Sequence, residues 1–126
     1  MLRSLLVVLS AVSCSTLAMA GFPVEFFTEN QYASVKVIAA DYQNSFEMTP
    51  KVPTDRAFFI IDGVPPTEAC GKTAFLTPLI KTGSSFKGSF YTGMGHLPET
   101  QSFILCLFSG DSLSGYIVGE GLYLND

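Results

Sequence analysis

His96 is the only histidine in the chain, so it is the first residue to test for reaction chemistry. It lies between Gly95 and Leu97 in a glycine-rich stretch, where an imidazole could act as a general base or a metal ligand. A catalytic histidine needs an oriented nucleophile or acid beside it. None of the serines lies in the Gly-x-Ser-x-Gly pattern of a nucleophile elbow. We therefore interpret His96 as a solvent-exposed loop residue.

Metal and acid–base chemistry also find little support in the residue spacing. One histidine and two widely separated cysteines do not provide the clustered ligands of a zinc site, so we predict neither a metal nor a cofactor. Carboxylates could form a catalytic pair after folding, but most of them fall in predicted turns, where acidic residues are common. The available acids are Asp41, Glu47, Asp55, Asp62, Glu99 and Asp111. The chain is predicted not to be an enzyme. A small secreted hydrolase that uses a carboxylate pair or His96 is the alternative.

The tyrosines indicate a different kind of function, which is non-covalent recognition of a partner at the protein surface. A tyrosine ring can anchor a protein interface or stack on a sugar, and its hydroxyl can meet a polar group. The five tyrosines are therefore candidate binding residues: Tyr32, Tyr42, Tyr91, Tyr116 and Tyr123. The competing interpretation is that they are ordinary half-buried strand residues.

The first twenty residues have the organisation of a secretory signal peptide. Arg3 lies in a short amino-terminal region, Leu5–Ala11 is apolar, and Ala18-Met19-Ala20 forms a small-x-small cleavage site before Gly21. The apolar run is shorter than the about 20 residues that span a bilayer, so no membrane span is expected. We predict a signal peptide over residues 1–20 and one secreted domain over residues 21–126. That domain would be extracellular or periplasmic.

A second interpretation of the same segment involves lipid attachment. The sequence Ala11-Val12-Ser13-Cys14 loosely resembles a lipobox, which would make Cys14 a lipidated first residue. Ala11 occupies the position where a larger aliphatic residue is usual, and the preceding segment is short. Soluble export is the favoured interpretation.

Composition limits the partners and indicates one covalent cross-link. The formal net charge is −4 and only 14% of residues are charged, so the clustered cations that bind nucleic acid are missing. Cys70 and Cys106 are the only cysteines after the predicted signal peptide. In an exported chain, two cysteines usually form one disulfide. We predict the Cys70–Cys106 bond and exclude nucleic acid as a partner.

Hydropathy patterns predict an all-β fold. Residues 33 to 39 alternate between apolar and polar, as in a half-buried strand. Ala57–Ile61 is a continuous apolar run that indicates a strand covered on both faces, and Phe103–Phe108, the most hydrophobic run, is predicted to be the central strand. Around Gly83, burial of Ile80 with Phe86 favours a three-residue hairpin loop. Residues 64–71 and 92–101 are predicted loops.

The expected architecture is a small antiparallel β-sandwich or barrel with about seven short strands and one disulfide. Gly119 and Gly121 suggest a bulge or corner near the end of the chain. With a fold and a compartment but no reactive centre, the chain is expected to be a secreted interaction protein. It would bind an extracellular, host or envelope protein in the manner of an effector or inhibitor. A carbohydrate- or cell-wall-binding module is the alternative binding function.

Overall fold

A computed structural model describes residues 23–61, 65–71 and 76–126 of the chain. The predicted signal peptide over residues 1–20, including Cys14, lies outside these residues. A turn predicted at Asp62-Gly63 and the first residues of a strand predicted over Thr73–Thr82 also lie outside them. The described strands are β1 (Val24–Glu29), β2 (Ala33–Ala40), β3 (Gln43–Pro50), β4 (Arg56–Ile60), β5 (Thr77–Pro78), β6 (Ile80–Thr82), β7 (Ser85–Tyr91), β8 (Leu97–Ser109) and β9 (Ser112–Asn125).

The strands form two antiparallel sheets, and the molecule is a β-sandwich as predicted. The first sheet has the order β1-β2-β3-β7-β6 and the second the order β5-β4-β8-β9. The described part holds nine strands rather than about seven. One predicted strand is divided at Leu79 into β5 and β6, which belong to different sheets. In addition, the residues after Pro23, whose sequence is compatible with either a short helix or an extended arm, form β1.

The core lies between the sheets, where alternating residues of each strand point inward. In β2 the predicted apolar face is confirmed, because Ala33, Val35, Val37 and Ala39 are all buried. Phenylalanines fill the centre: the Phe46 ring of β3 lies 5.0 Å from the Phe103 ring of β8, centroid to centroid. Edge-to-face and tilted aromatic contacts of this kind add to the apolar burial.

β8 is the central strand predicted from its hydropathy, because β4 and β9 flank it. Every residue from Phe103 to Phe108 is buried. A short helix, α1 (Pro66–Cys70), contributes to covering the outer face of this sheet, and its Cys70 is bonded to Cys106 of β8 with a Cα–Cα distance of 5.6 Å. The predicted disulfide is therefore present. The predicted loop over residues 64–71 contains this helix because Pro66, at a first-turn position, has no N–H to leave unpaired.

Polar links join the free edge of β9 to the first sheet. Asn44 of β3 is fully buried, and its Nδ2 donates to the Leu122 carbonyl at 2.9 Å while its Oδ1 accepts from the Leu122 N–H at 2.8 Å. Asn30 makes a similar link, because its Nδ2 donates to the Tyr116 carbonyl at 2.8 Å. Side-chain amides thus replace strand partners along this edge, which would otherwise leave backbone groups unpaired.

The hairpin between β6 and β7 corrects one prediction. Thr82 pairs with Ser85 and Ile80 with Lys87, so the loop has two residues, Gly83 and Ser84, rather than three. Gly83 has φ of +63°, which suits a two-residue turn. The predicted register assumed that Ile80 is buried, but Ile80 is 72% exposed. Leu79, its neighbour in sequence, packs against the core in its place.

Two further expectations need correction near the end of the chain. β8 begins at Leu97, so only part of the predicted loop over residues 92–101 is irregular. The register irregularity of the β8–β9 pair lies at Leu107/Phe108 rather than at Gly119 and Gly121. The burial pattern does change near those glycines, since Gly121 and Leu122 are consecutive buried residues.

Candidate binding surface

The structure divides the five candidate tyrosines into two groups at opposite ends of the sandwich. Tyr32 precedes β2 and Tyr42 follows Asp41 after its end, and the eight residues of β2 span about 26 Å. Tyr116 lies beside Tyr32, whereas Tyr91 and Tyr123 lie with Tyr42. We call the end that holds Tyr32 and Tyr116 the closed end.

At the closed end the tyrosines pack against each other. Their ring centroids are 5.7 Å apart, and both side chains are half-buried. The Tyr32 ring lies directly against Gly115, where any Cβ would collide with it. These two tyrosines therefore match the competing interpretation, in which a tyrosine is a half-buried residue whose ring contributes to packing.

At the opposite end, the exposed side chains surround the short segment from Thr92 to His96. Tyr42 is 50% exposed, Tyr91 is 60% exposed and Met94 is 70% exposed. Leu97 and Tyr123 are also exposed, and a Cβ at Gly93 would lie 3.1 Å from the Tyr123 ring. The open end is hereafter the surface formed by Tyr42, Tyr91, Met94, Leu97 and Tyr123.

Backbone hydrogen bonds hold the open end in place from both sheets. The Thr92 N–H donates to the Tyr42 carbonyl at 2.9 Å, and the Leu124 N–H donates to the Thr92 carbonyl at 2.7 Å. The N–H groups of Gly95 and His96 then donate to the carbonyls of Leu124 and Asn125. The backbone that carries these exposed side chains is therefore held by hydrogen bonds, as a strand is within a sheet.

Tyr42 occupies an unusual backbone conformation. Asp41 and Tyr42 form the two-residue turn between β2 and β3 with φ of +54° and +63°. Asparagine and glycine are preferred at these positions, because a Cβ is unfavourable at positive φ. Despite this unfavourable backbone conformation, the turn carries a half-exposed tyrosine at its tip.

The charges at the open end are all negative among the described residues. Asp41 adjoins Tyr42, Glu99 pairs with Tyr123 across β8 and β9, and Asp126 follows the strand end at Asn125. None of the three makes an ion pair with another described residue. Elsewhere the carboxylates of Glu25, Glu29, Asp55 and Asp111 lie within 4 Å of a lysine or arginine nitrogen.

His96 is exposed, as predicted, and its only hydrogen bond in the described structure is made by its backbone N–H. No serine or carboxylate side chain of the described residues is hydrogen-bonded to its imidazole. Over residues 23–61, 65–71 and 76–126, no group of three histidine, cysteine or acidic residues is arranged to hold a metal. The prediction of a non-enzyme remains an inference from residue types.

A second exposed surface lies on the outer face of the first sheet. A shallow depression of about 250 Å³ is lined by Lys36, Ile38, Ser45, Glu47 and Lys87. Phe27 on β1 and Ile80 on β6 are exposed on either side of it. Phe27 is 66% exposed, whereas its neighbour Phe26 packs against the core. Here the charges alternate, and the Lys36 ammonium already pairs with Glu25 at 3.4 Å.

Sequence reasoning missed Met94, Leu97 and Phe27 as exposed apolar residues. Only Met94 carried a signal, because it lies between two glycines in a segment too short to form a strand of its own. No family model, curated protein or solved structure matches the chain. Within the described residues, no helix has the length and apolar character needed to cross a membrane.

Proposed function

We propose that the protein is an exported, non-enzymatic binding protein whose open end contacts another protein outside the cytoplasm. The observation that carries this proposal is the set of exposed Tyr42, Tyr91 and Met94 side chains on a hydrogen-bonded backbone. Tyrosine and methionine are enriched in protein interfaces, and ordered aromatic anchors lose little entropy on binding. The disulfide supports export, because such bonds persist in oxidising compartments.

The conformation of Tyr42 gives independent support. A tyrosine at positive φ costs on the order of 1 kcal/mol relative to glycine, and unfavourable backbone conformations of this kind cluster at functional sites. Half of the Tyr42 surface is exposed to solvent. A binding role accounts for a tyrosine at a position that favours glycine.

The test is affinity capture with the 21–126 chain in its oxidised form. The immobilised protein is incubated with extracellular or envelope extract, and dissociation constants are then measured for each captured protein. The open-end variant is Tyr42→Ala/Tyr91→Ala. The matched control is Phe27→Ala/Ile80→Ala, which removes two apolar side chains, 66% and 72% exposed, from the outer face of the first sheet.

We expect the open-end variant to bind its partner about 30-fold more weakly, because truncation of an anchor residue costs about 2 kcal/mol or more. The control should bind within about twofold of the unmodified protein, as interface-distant residues do. Loss of binding in the control alone would move the interface to the sheet face. Recovery of a glycan that survives protease treatment would replace the proposal with the carbohydrate-binding module. Substrate turnover that disappears in His96→Ala would replace it with the hydrolase.

A further inference from the structure

We infer that the open end accepts a cationic protein segment, one that carries arginine or lysine next to apolar side chains. This inference rests on the proposed function and adds the chemistry of the partner to it. Its basis is the uneven distribution of charge between the open end and the remainder of the sandwich. Asp41, Glu99 and Asp126 border the open end, and none of them has a cationic partner among the described residues.

The described cations lie away from this surface. Lys36 and Lys87 are each four residues along their strands from the row of Ala40, Gln43 and Tyr91, or about 13 Å. The remaining described cations lie towards the closed end: Lys51, Arg56 and Lys81. An incoming cationic group therefore meets three carboxylates at the open end without competition from a described lysine or arginine.

The exposed rings suit the same partner. A guanidinium or ammonium group is attracted to the face of a tyrosine ring, also at exposed sites. Arginine can also form paired hydrogen bonds with a neighbouring carboxylate, and Asp41 adjoins Tyr42 in the turn. The apolar part of the partner would lie against Met94 and Leu97. An acidic segment would instead meet like charges on every side of the surface.

The experiment titrates the 15N-labelled 21–126 chain with two synthetic peptides at about 0.15 M salt, where long-range attraction is screened. The peptides have equal length and alternate leucine with arginine or with glutamate. We expect the arginine peptide to shift the backbone amides of Tyr42, Met94 and Asp126, and to bind at least about tenfold more tightly than the glutamate peptide.

Charge variants show whether the attraction is local. Asp41→Asn/Glu99→Gln/Asp126→Asn removes the three carboxylates at the open end. Glu47→Gln/Asp111→Asn/Glu120→Gln makes the same change in net charge elsewhere on the exposed surface. We expect about a tenfold loss of arginine-peptide affinity in the first variant, since each of three exposed ion pairs contributes about twofold. The second variant should change affinity by less than about twofold.

Equal weakening by both variants would show attraction to overall charge and overturn the inference, as would equal binding of the two peptides. A captured protein that depends on Tyr42 and Tyr91 but not on the three carboxylates would also overturn it, while the proposed function stands. If the arginine peptide binds the open end but every protein captured from the extract is insensitive to Tyr42→Ala/Tyr91→Ala, the proposed function is wrong. The cation preference of the surface would then be retained.

Discussion

The two ends of the sandwich use the same residue types for different purposes. At the closed end, Tyr32 and Tyr116 are packed in contact, and the Asn30 side chain hydrogen-bonds to the backbone of both residues. At the open end, Tyr42 and Tyr91 project into solvent, although the backbone beneath them is equally well hydrogen-bonded. Exposure at the open end is therefore a property of the side chains and not of a poorly ordered backbone.

The charges follow the same division. Near the closed end, Lys51 pairs with Glu29 at 3.1 Å, and Arg56 lies 3.8 Å from both Asp55 and Asp111. At the open end the described carboxylates have no such partners. A surface whose rings are packed and whose charges are paired has few groups free to bind a ligand. We therefore expect substitutions at the closed end to change stability and those at the open end to change binding.

The largest expected effect concerns the disulfide, which is attached near the closed end because Cys106 pairs with Tyr116 across β8 and β9. Cys70→Ala should lower the free energy of unfolding by about 3–4 kcal/mol, since the bond closes a long loop. Urea denaturation measures this change. Cys106→Ala and the double variant should give similar losses. A double variant that loses the sum of the two single effects would show that the bond itself contributes little.

The core was predictable because it depends on local patterns, and the disulfide because only two cysteines follow the predicted signal peptide. Alternation in β2 identified its buried face, and the apolar run from Phe103 to Phe108 identified the central strand. The β6–β7 register was wrong because it depends on which of two neighbours, Leu79 or Ile80, reaches a core formed by distant strands. No local pattern contains that information.

The candidate site was predictable only as a set of residue types. Sequence reasoning selected all five tyrosines, but it could not distinguish Tyr32 from Tyr42. Tyr32 is half-buried because Gly115, over eighty positions away, leaves room for its ring. Tyr42 is exposed because a two-residue turn places it at the tip of a hairpin. Both reasons depend on the backbone positions of the folded chain.

A direct comparison of the two ends comes from truncating one tyrosine at each. Tyr32→Ala should lower the free energy of unfolding by about 2 kcal/mol, because it empties the space above Gly115 and removes the contact with Tyr116. Tyr91→Ala should change it by less than about 0.5 kcal/mol, as is usual for an exposed residue. Chemical denaturation of both variants measures the difference. Equal losses would contradict the division into a packed end and an exposed end.

A smaller effect is expected at the turn that presents Tyr42. Tyr42→Gly and Tyr42→Ala remove the same ring, but only glycine relieves the unfavourable positive φ. After the greater chain entropy of glycine is allowed for, the glycine variant should be more stable than the alanine variant by about 0.5 kcal/mol. Both should bind the partner equally weakly. If the alanine variant were the more stable one, the backbone cost assigned to Tyr42 would be wrong.

The smallest expected effect is that of His96→Ala. His96 is exposed at the open end, and its backbone N–H, which bonds to the Asn125 carbonyl at 2.9 Å, is retained in the variant. Its imidazole has no hydrogen-bonded nucleophile or acid among the described residues, so we expect stability within about 0.5 kcal/mol of the unmodified protein. Partner affinity should change by less than about threefold, because residues around an anchor are close to neutral. Denaturation and titration with the captured partner measure the two quantities.

If His96→Ala abolished an activity while stability and affinity were unchanged, the segment from Thr92 to His96 would have to be reinterpreted as catalytic. The exposed tyrosines around it would then position a substrate instead of a protein partner.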